Sequence, residues 1–387
     1  MRVPRKLSIA LACILPFWVS ACASSSAVQT SDSVIRPKVV IVGYFETSRR
    51  YGEKGYWGEA DRPGELHHWI SRLKLERRLP VRGAFNQAWS NADGSIIAMK
   101  IGPNSLHPAV NITALGLDDR FDLTHSYWLI NGIAGASPKN STIGDIVWTD
   151  YVVNGDVAHE IDGREIPPDW PTGYFPAGST RPYPNKSADD LVDAGIAAWD
   201  NASFRSNRSD TVFKLNEGLA EWALQQTAEI DLPNSEDMDR VRREYHQGPA
   251  NASSRVKRCA TLSAETFWLG RLLDEWAHDW VKYATDGAGE YCTTETNDAG
   301  TMTAIAALAL HGRIDPDRVM LLRGASNFDM PPNGVSASEQ LVREGPQQFA
   351  GYDPALEGLY RVGSVVVNKL VDGWPTYEHT LPNVAGK

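Results

Sequence analysis

Short runs of apolar residues recur along the chain, each bounded by turn residues. Residues 38–42 (KVVIV) form the first, as uniformly apolar as a strand buried on both faces. Residues 95–101 (SIIAMKI) form a second, directly after the turn signal Asn91-Ala92-Asp93-Gly94. Residues 104–117 then carry a helical pattern. Residues 126–131 (SYWLIN) read as a third strand running into a turn at Gly132-Ile133-Ala134-Gly135, and 146–153 as a fourth. Strand, helix, strand and glycine turn predict an α/β sheet, with ligands at the carboxyl ends of the strands.

The second half is richer in helical pattern. Helices are predicted over 216–230, 235–245 and 266–285. In the last, Leu269, Leu272, Leu273, Trp276, Trp280 and Tyr283 recur at helical spacing, which reads as a core face rather than an aromatic ligand box. Residues 300–310 make a small-residue helix suited to close packing on a sheet, and 319–322 (VMLL) a strand leading into Arg323-Gly324-Ala325-Ser326-Asn327. Helices over 336–344 and 354–371 close the chain. The Pro- and Gly-rich stretch 165–185 reads as a long ordered or lid-like loop. No internal repeat and no interdomain linker after Pro37 is visible. Residues 37–387 are therefore expected to form one large α/β domain with an inserted helical region.

The first 21 residues differ in kind. Arg2, Arg5 and Lys6 precede a mostly apolar stretch, which ends at Val19-Ser20-Ala21-Cys22. This reads as a lipoprotein signal cleaved before Cys22, whose thiol then carries lipid. The alternative is a plain secretory peptide in which Cys22 is incidental. Residues 22–36 are Ser-rich and read as a flexible tether. Ala23 is not an Asp, which by resemblance to enterobacterial sorting signals implies the periplasmic side of the outer membrane. The expectation is an exported protein anchored by lipid alone. No other segment reaches the roughly 18 apolar residues that span a bilayer, and no porin-like series of strands is visible. Any transport through this chain then requires a separate membrane partner.

Of 387 residues, 38 are basic and 48 acidic. Without the leader the balance is 35 to 48, and so acidic a body argues against a nucleic-acid polymer as partner. Cys259 and Cys292 remain after Cys13 leaves with the leader and Cys22 takes lipid. In an oxidising compartment they read as a candidate disulfide, with free thiols as the alternative. His67-His68 is the only histidine pair, and adjacent side chains diverge on a helix, so no metal site is expected. No phosphate-binding glycine loop and no GxSxG or HExxH motif occurs.

What remains is a set of strand ends. Gly132 and Gly135 let a backbone approach a ligand closely. Ser326 and Asn327 follow a strand, where Asn can both donate to and accept from a heterocycle, or can serve as a turn residue. Asn297 and Asp298 precede a helix and read either as ligand contacts or as simple N-caps. Glu65 follows Pro63-Gly64, in a site or at a solvated helix start.

Longer motifs join these positions. They are RPKVVIV at 36–42, ITALGLDDRFDL at 112–123, NGIAGASP at 131–138, HEIDGREIPPDWPTGYFP at 159–176, FKLNEGLAEWA at 213–223 and LRGASNFDMPPNG at 322–334. With them the chain resembles the purine nucleoside permease family over nearly all of 36–382. That family is similar in turn to nucleoside phosphorylases and to adenosylhomocysteine/methylthioadenosine nucleosidases. The resemblance implies a three-layer α/β/α mixed sheet and a purine nucleoside ligand. It implies Asn327 on the purine, with a preference for 6-oxopurines, and an aromatic residue of Thr266-Phe267-Trp268 stacked on the base. It places Glu65 near the sugar, and Asn297 where related chains carry a diol-binding Glu, so that Asp298 takes over those bonds. No Arg matches the phosphate-binding positions; Asn104, Ser105 and His107 stand in the corresponding segment. No cofactor follows from this, and inorganic phosphate is a co-substrate only if the reaction is phosphorolysis. A nucleoside uptake component is the first expectation, and cleavage of the N-glycosidic bond the alternative. A non-catalytic relative with decayed loops and a homo-oligomer both stay open.

Overall fold

The uniformly apolar runs do become strands, because each supplies side chains to two opposite layers. The computed structural model describes residues 34–45, 63–176, 181–182, 211–246, 248–344 and 349–383. The leader, Cys22 and most of the tether lie outside them. Strands β1 (Val39–Gly43), β4 (Ile96–Lys100) and β5 (Tyr127–Ala136) are parallel neighbours, with β1 in the middle. Their alternate residues divide between two cores. Val40, Val42, Ile97, Met99, Trp128 and Ile130 face one, and Val39, Ile41, Ile96, Ala98, Tyr127 and Leu129 the other. Period-two alternation with both faces apolar is the signature of a covered sheet.

Helices α2 (Leu106–Leu117) and α6 (Asp298–Leu310) cover the first face through Ile112, Leu115, Ile305 and Leu308. Helices α1 (His67–Arg72), α3 (Glu217–Thr227) and α8 (Tyr352–Asp372) cover the second through Trp69, Leu219, Trp222, Leu359, Val362 and Val366. The result is a three-layer α/β/α arrangement around a mixed sheet. Residues 34–387 form one compact unit.

The sheet continues from β5 to β12 (Val319–Phe328), β6 (Ile146–Asn154), β10 (Val256–Ser263) and β11 (Tyr291–Glu295). Strand β11 pairs with β10 and also with β5, at Thr293 opposite Ala136 and Thr294 opposite Gly135. Five strands thus close on themselves at one end of the sheet. Short strands β2 (Arg77–Leu79) and β3 (Ala88–Ser90) extend the other edge, β9 (Val212–Lys214) pairs with β6, and β7 (Ala158–Glu160) and β8 (Tyr174–Pro176) form a separate ribbon. The ribbon's second strand lies within the stretch expected as loop.

Three expectations need correction. Gly132 to Gly135 are not a turn but the interior of β5. Likewise Arg323 to Asn327 do not leave a strand, because β12 runs on to Phe328. The Trp-rich helix starts late, as α5 (Arg271–Ala284), because Gly270 has φ +151°, outside helical geometry. Thr266, Phe267 and Trp268 therefore lie in the loop before it. In α5 the buried face is Trp276, Ala277, Trp280, Val281 and Ala284, and Leu272 points outward. Asn216 and Ser235 cap α3 and α4 (Glu236–Glu244), accepting the amides of Leu219 and Met238. Helix α7 (Ala337–Glu344) follows β12, and α9 (Trp374–Tyr377) follows α8. Among the described residues no helix is long and apolar enough to cross a membrane.

Helix α6 approaches α2 more closely than a side chain would permit. A Cβ on Gly300 would lie 2.1 Å from the carbonyl oxygen of Ser105. Alanine is the better helix former by about 1 kcal/mol, but backbone cannot yield as a flexible side chain can. Gly300→Ala is expected to lower stability by about 1–3 kcal/mol through overpacking. Urea unfolding checks this, and an unchanged or raised midpoint would contradict the packing account.

Candidate functional site

The pairing of β5 with β12 sets each predicted glycine against a polar side chain. Gly132 lies opposite Arg323, and Gly135 opposite Asn327. The register shifts between Ala325 and Asn327, so Ser326 is an extra residue that re-aims the strand.

Arg323 is the hub. Its guanidinium is fully buried, so its charge must be met by protein. Nε donates to Asp298 Oδ2 at 3.0 Å, and Nη2 donates to Asp298 Oδ1 and, at 2.6 Å, to the Tyr44 hydroxyl. Tyr44 in turn donates to Asp298 Oδ1, and its ring lies 4.8 Å from Arg323 Cζ. Burial alone would lower the Arg323 pKa, but Asp298, Tyr44, Glu295 and Glu65 together carry it above its ordinary value. Arg323 Nη1 has no partner among the described residues. It lies 2.3 Å from where a Cβ on Gly132 would stand, and Glu65 Oε1 lies 2.7 Å from the same point. Position 132 is glycine because a cation and a carboxyl group converge there.

Glu65 is buried rather than solvated at a helix start. Its Oε1 accepts the amide of Ile133 at 2.8 Å, and Oε2 accepts those of Tyr44 at 2.6 Å and Phe45 at 3.4 Å. Burial pushes its pKa up to about 7, against the lowering influence of Arg323 and those three amides. The group is thus poised to exchange a proton near neutrality.

Asp298 was expected to accept ribose hydroxyls. In the structure both its oxygens accept from Arg323, and Oδ1 also accepts from Tyr44. Asn297 occupies the cap position of α6, but its side chain does not cap; its Nδ2 reaches the Asn104 carbonyl at 3.4 Å. Glu295, at the end of β11, does the capping, its Oε2 accepting the amides of Asn297 and, at 2.9 Å, Asp298. Its Oε1 is buried and unpartnered among the described residues. Burial and then the Asp298 charge raise the Glu295 pKa well above 4.5, opposed by Arg323, so Oε1 can hold a proton and either donate or accept.

The segment expected near phosphate is differently engaged. Ser105 N donates to Glu265 Oε1 at 2.7 Å, and the Ala299 amide of α6 donates to Ser263 Oγ at 2.9 Å. Carboxylate and hydroxyl groups already take amides that an anion would need. His107 packs on Phe85, with ring centroids 5.2 Å apart.

Near the end of β12, Ser326 Oγ donates to Asn327 Oδ1 at 2.9 Å and lies 3.2 Å from the Ala134 carbonyl. This orients the Asn327 amide, leaving Nδ2 3.3 Å from the Phe328 carbonyl and 3.8 Å from a Cβ placed on Gly135. The loop before α5 is anchored at both ends over these strands, by Ala264 N on Glu295 O and Gly270 N on Asp329 O, both at 2.9 Å. Phe267 on that loop is half exposed, whereas Trp268 is buried against Trp276. Cys259 and Cys292 are disulfide-bonded between β10 and β11. Among the described residues no cluster of His, Cys, Asp or Glu could hold a metal ion.

The sequence reading named Glu65, Asp298, Gly132 and Asn327 but missed Arg323, Tyr44 and Glu295. One signal was available. A lone Arg inside an apolar strand cannot be buried without a carboxylate partner. Two predictions follow from the burial. Asp298→Asn, leaving Arg323 without its counter-charge, should cost about 3–5 kcal/mol in urea unfolding; a loss under about 1 kcal/mol, the scale of an exposed pair, would contradict the hub. In a carbon-detected NMR titration, the Glu65 carboxyl should show a midpoint near 7, and a midpoint at 4.5 would contradict its burial. With the folded pKa raised, stability from this group is full below about pH 4.5 and lost as pH rises through about 7.

Comparison with known proteins bears on this geometry. The family described as purine nucleoside permease (NUP) matches residues 36–382. A purine nucleoside permease of Candida albicans is 28% identical over 318 residues, covering 80% of this chain and 73% of that protein. A probable purine nucleoside permease of Schizosaccharomyces pombe is 25% identical over 353 residues, covering 88% and 91%. Among solved structures, the 5'-methylthioadenosine/S-adenosyl homocysteine nucleosidase of Helicobacter pylori superposes with a TM-score of 0.46 at 12% identity, over 87% of this chain and 99% of that one. Its futalosine hydrolase gives 0.46 at 14%, over 87% and 98%. The family match spans nearly the whole α/β unit, including every strand around Arg323: the chain belongs to the purine nucleoside permease family.

Proposed function

We propose that the chain binds a purine nucleoside at the carboxyl ends of β5, β11 and β12 and serves nucleoside uptake. The observation that carries this reading is a pair of buried polar atoms, unpartnered among the described residues: Arg323 Nη1 and Glu295 Oε1. A buried donor without a partner costs about 1–3 kcal/mol, more when charged, and sugar hydroxyls can both accept from Nη1 and exchange hydrogen bonds with Oε1. Asn327 meets the purine edge and Phe267 offers a face for stacking. Family membership supports the ligand class.

The finer reading follows the leader. The chain is exported, held by lipid on Cys22 to a bacterial membrane, on the periplasmic side of the outer membrane. It hands its ligand to a separate membrane transporter. Titration calorimetry with inosine, guanosine and adenosine, on the chain from Cys22 onward, tests binding. Saturable binding is expected for at least one, and Glu295→Gln should weaken it about 10- to 100-fold, the worth of a hydrogen bond to a charged or shared-proton group. No heat with any of the three would end the reading.

The Glu65 carboxyl favours a second reading, glycosidic cleavage. A group titrating near 7 can take a proton from a nucleophilic water as the base departs. The amides already occupied at Ser105 and Ala299 favour water over phosphate. Assay of free base from inosine, with and without phosphate, decides it. Release independent of phosphate and abolished in Glu65→Gln is expected of a hydrolase; no release leaves binding alone.

A further inference from the structure

Helices α2 and α6 begin side by side. Asn297 Nδ2 reaches the Asn104 carbonyl at 3.4 Å, and only the missing side chain of Gly300 leaves room for the Ser105 carbonyl. A helix start offers unpaired amides and a partial positive charge, which suit phosphate. Here the protein's own acceptors fill both starts. Glu295 Oε2 accepts the amides of Asn297 and Asp298, and Ser263 Oγ accepts that of Ala299. Glu265 Oε1 accepts the Ser105 amide at 2.7 Å, and Pro108, in the first turn of α2, has no amide to offer.

Glu265 is no local cap. It stands 160 positions from Ser105 in the chain, on the loop that carries Phe267 two residues later. That loop is tied to the end of β11, where Ala264 N donates to the Glu295 carbonyl at 2.9 Å. Glu265 N donates to Asp156 Oδ2 at 2.8 Å, so a second carboxyl group, from just after β6, faces the same corner. Among the described residues no Lys or Arg pairs with either carboxyl group. The unpartnered Glu295 Oε1, on a side chain only 8% exposed, belongs to the carboxyl group that holds the start of α6. It marks this corner for a ligand independently of the helix starts.

We propose that Glu265 is a specificity-determining residue: its carboxylate occupies the start of α2 in place of an anion, so that the site takes uncharged purine nucleosides and rejects those phosphorylated on the sugar. The ligand clause rests on the purine nucleoside reading; the occupation of the α2 start does not. A phosphate monoester carries nearly two negative charges at neutral pH. Seated at this corner it must displace the Glu265 carboxylate from Ser105 N or lie against it, and like charges in a partly buried site repel strongly. A nucleoside meets no such cost, because its hydroxyls can donate to a carboxylate as well as accept.

The test compares inosine with inosine 5′-monophosphate by titration calorimetry on the full chain, for the wild type, Glu265→Gln and Glu265→Ala. Gln keeps an acceptor for Ser105 N and removes the charge, whereas Ala removes both. The wild type should bind the monophosphate at least about 100-fold more weakly than inosine, and each variant should narrow that ratio about tenfold or more. Equal wild-type affinities would overturn the proposal. So would variants that weaken both ligands in parallel and leave the ratio unchanged, as loss of a merely structural contact does. A second arm needs no nucleoside. Inorganic phosphate is titrated against nitrogen-15-labelled chains with the Ser105 amide as reporter. A saturable shift is expected in Glu265→Ala and none in the wild type; a wild type that responds, or an Ala variant that does not, would overturn the role of Glu265. If inosine binds none of the chains while phosphate behaves as expected, the proposed function fails and Glu265 still excludes anions.

Discussion

A guanidinium with no access to water constrains more of this molecule than any other group. Arg323 lies in the middle of the sheet, directly after the apolar residues Val319 to Leu322 of β12. Such a charge persists in a folded chain only where carboxylates and hydroxyls compensate for lost hydration. That requirement accounts for the fully buried Asp298 on α6, for Tyr44 at the end of β1 and for the missing side chain at Gly132. It also sets the chemistry of Glu65 and Glu295. Both are buried beside the cation, and burial outweighs its attraction, so both pKa values rise.

The sheet supplies the geometry. Because β11 pairs with both β10 and β5, the ends of β5, β11 and β12 come together, and with them Gly135, Glu295 and Asn327. The disulfide between Cys259 and Cys292 ties β10 to β11 at this closure. Helix α6 then begins directly after β11, and Glu295 satisfies its first amides, so the helix start and the hub are built from the same few residues. Backbone bonds from Asp329 N to the Ala136 carbonyl and from Gly270 N to the Asp329 carbonyl tie the end of β12 to β5 and to the loop before α5.

How far the sequence alone reached depended on whether the decisive contact was local. Strands β1, β4 and β6 are plain as apolar runs, since burial on both faces needs nothing beyond composition. The helix starts at Asn216 and Ser235 were placed well, since the caps that fix them act over three residues. The interior of β5 was not, because glycine is the usual sign of a turn and only the partner strand reveals that Gly132 clears space for Arg323. The same blindness ended β12 too early, since a charged residue after four apolar ones reads as a strand leaving the core. Strands β10 and β11 carry Lys257, Arg258 and several threonines, so their pattern is weak without the sheet. Asp298 was named without its principal partner. Its ion partner lies 25 positions away, beyond any local pattern, and so does the consequence that Glu295 keeps the unpartnered oxygen.

The central claim is that Arg323 Nη1 and Glu295 Oε1, unpartnered among the described residues, are completed by the sugar of the proposed ligand. The most direct measurement is a crystal structure of the chain with a bound purine nucleoside. The account predicts sugar hydroxyls within hydrogen-bond distance of both atoms, with the base edge at Asn327 and its face toward Phe267. A nucleoside bound elsewhere, with both atoms still buried and unpartnered, would contradict it.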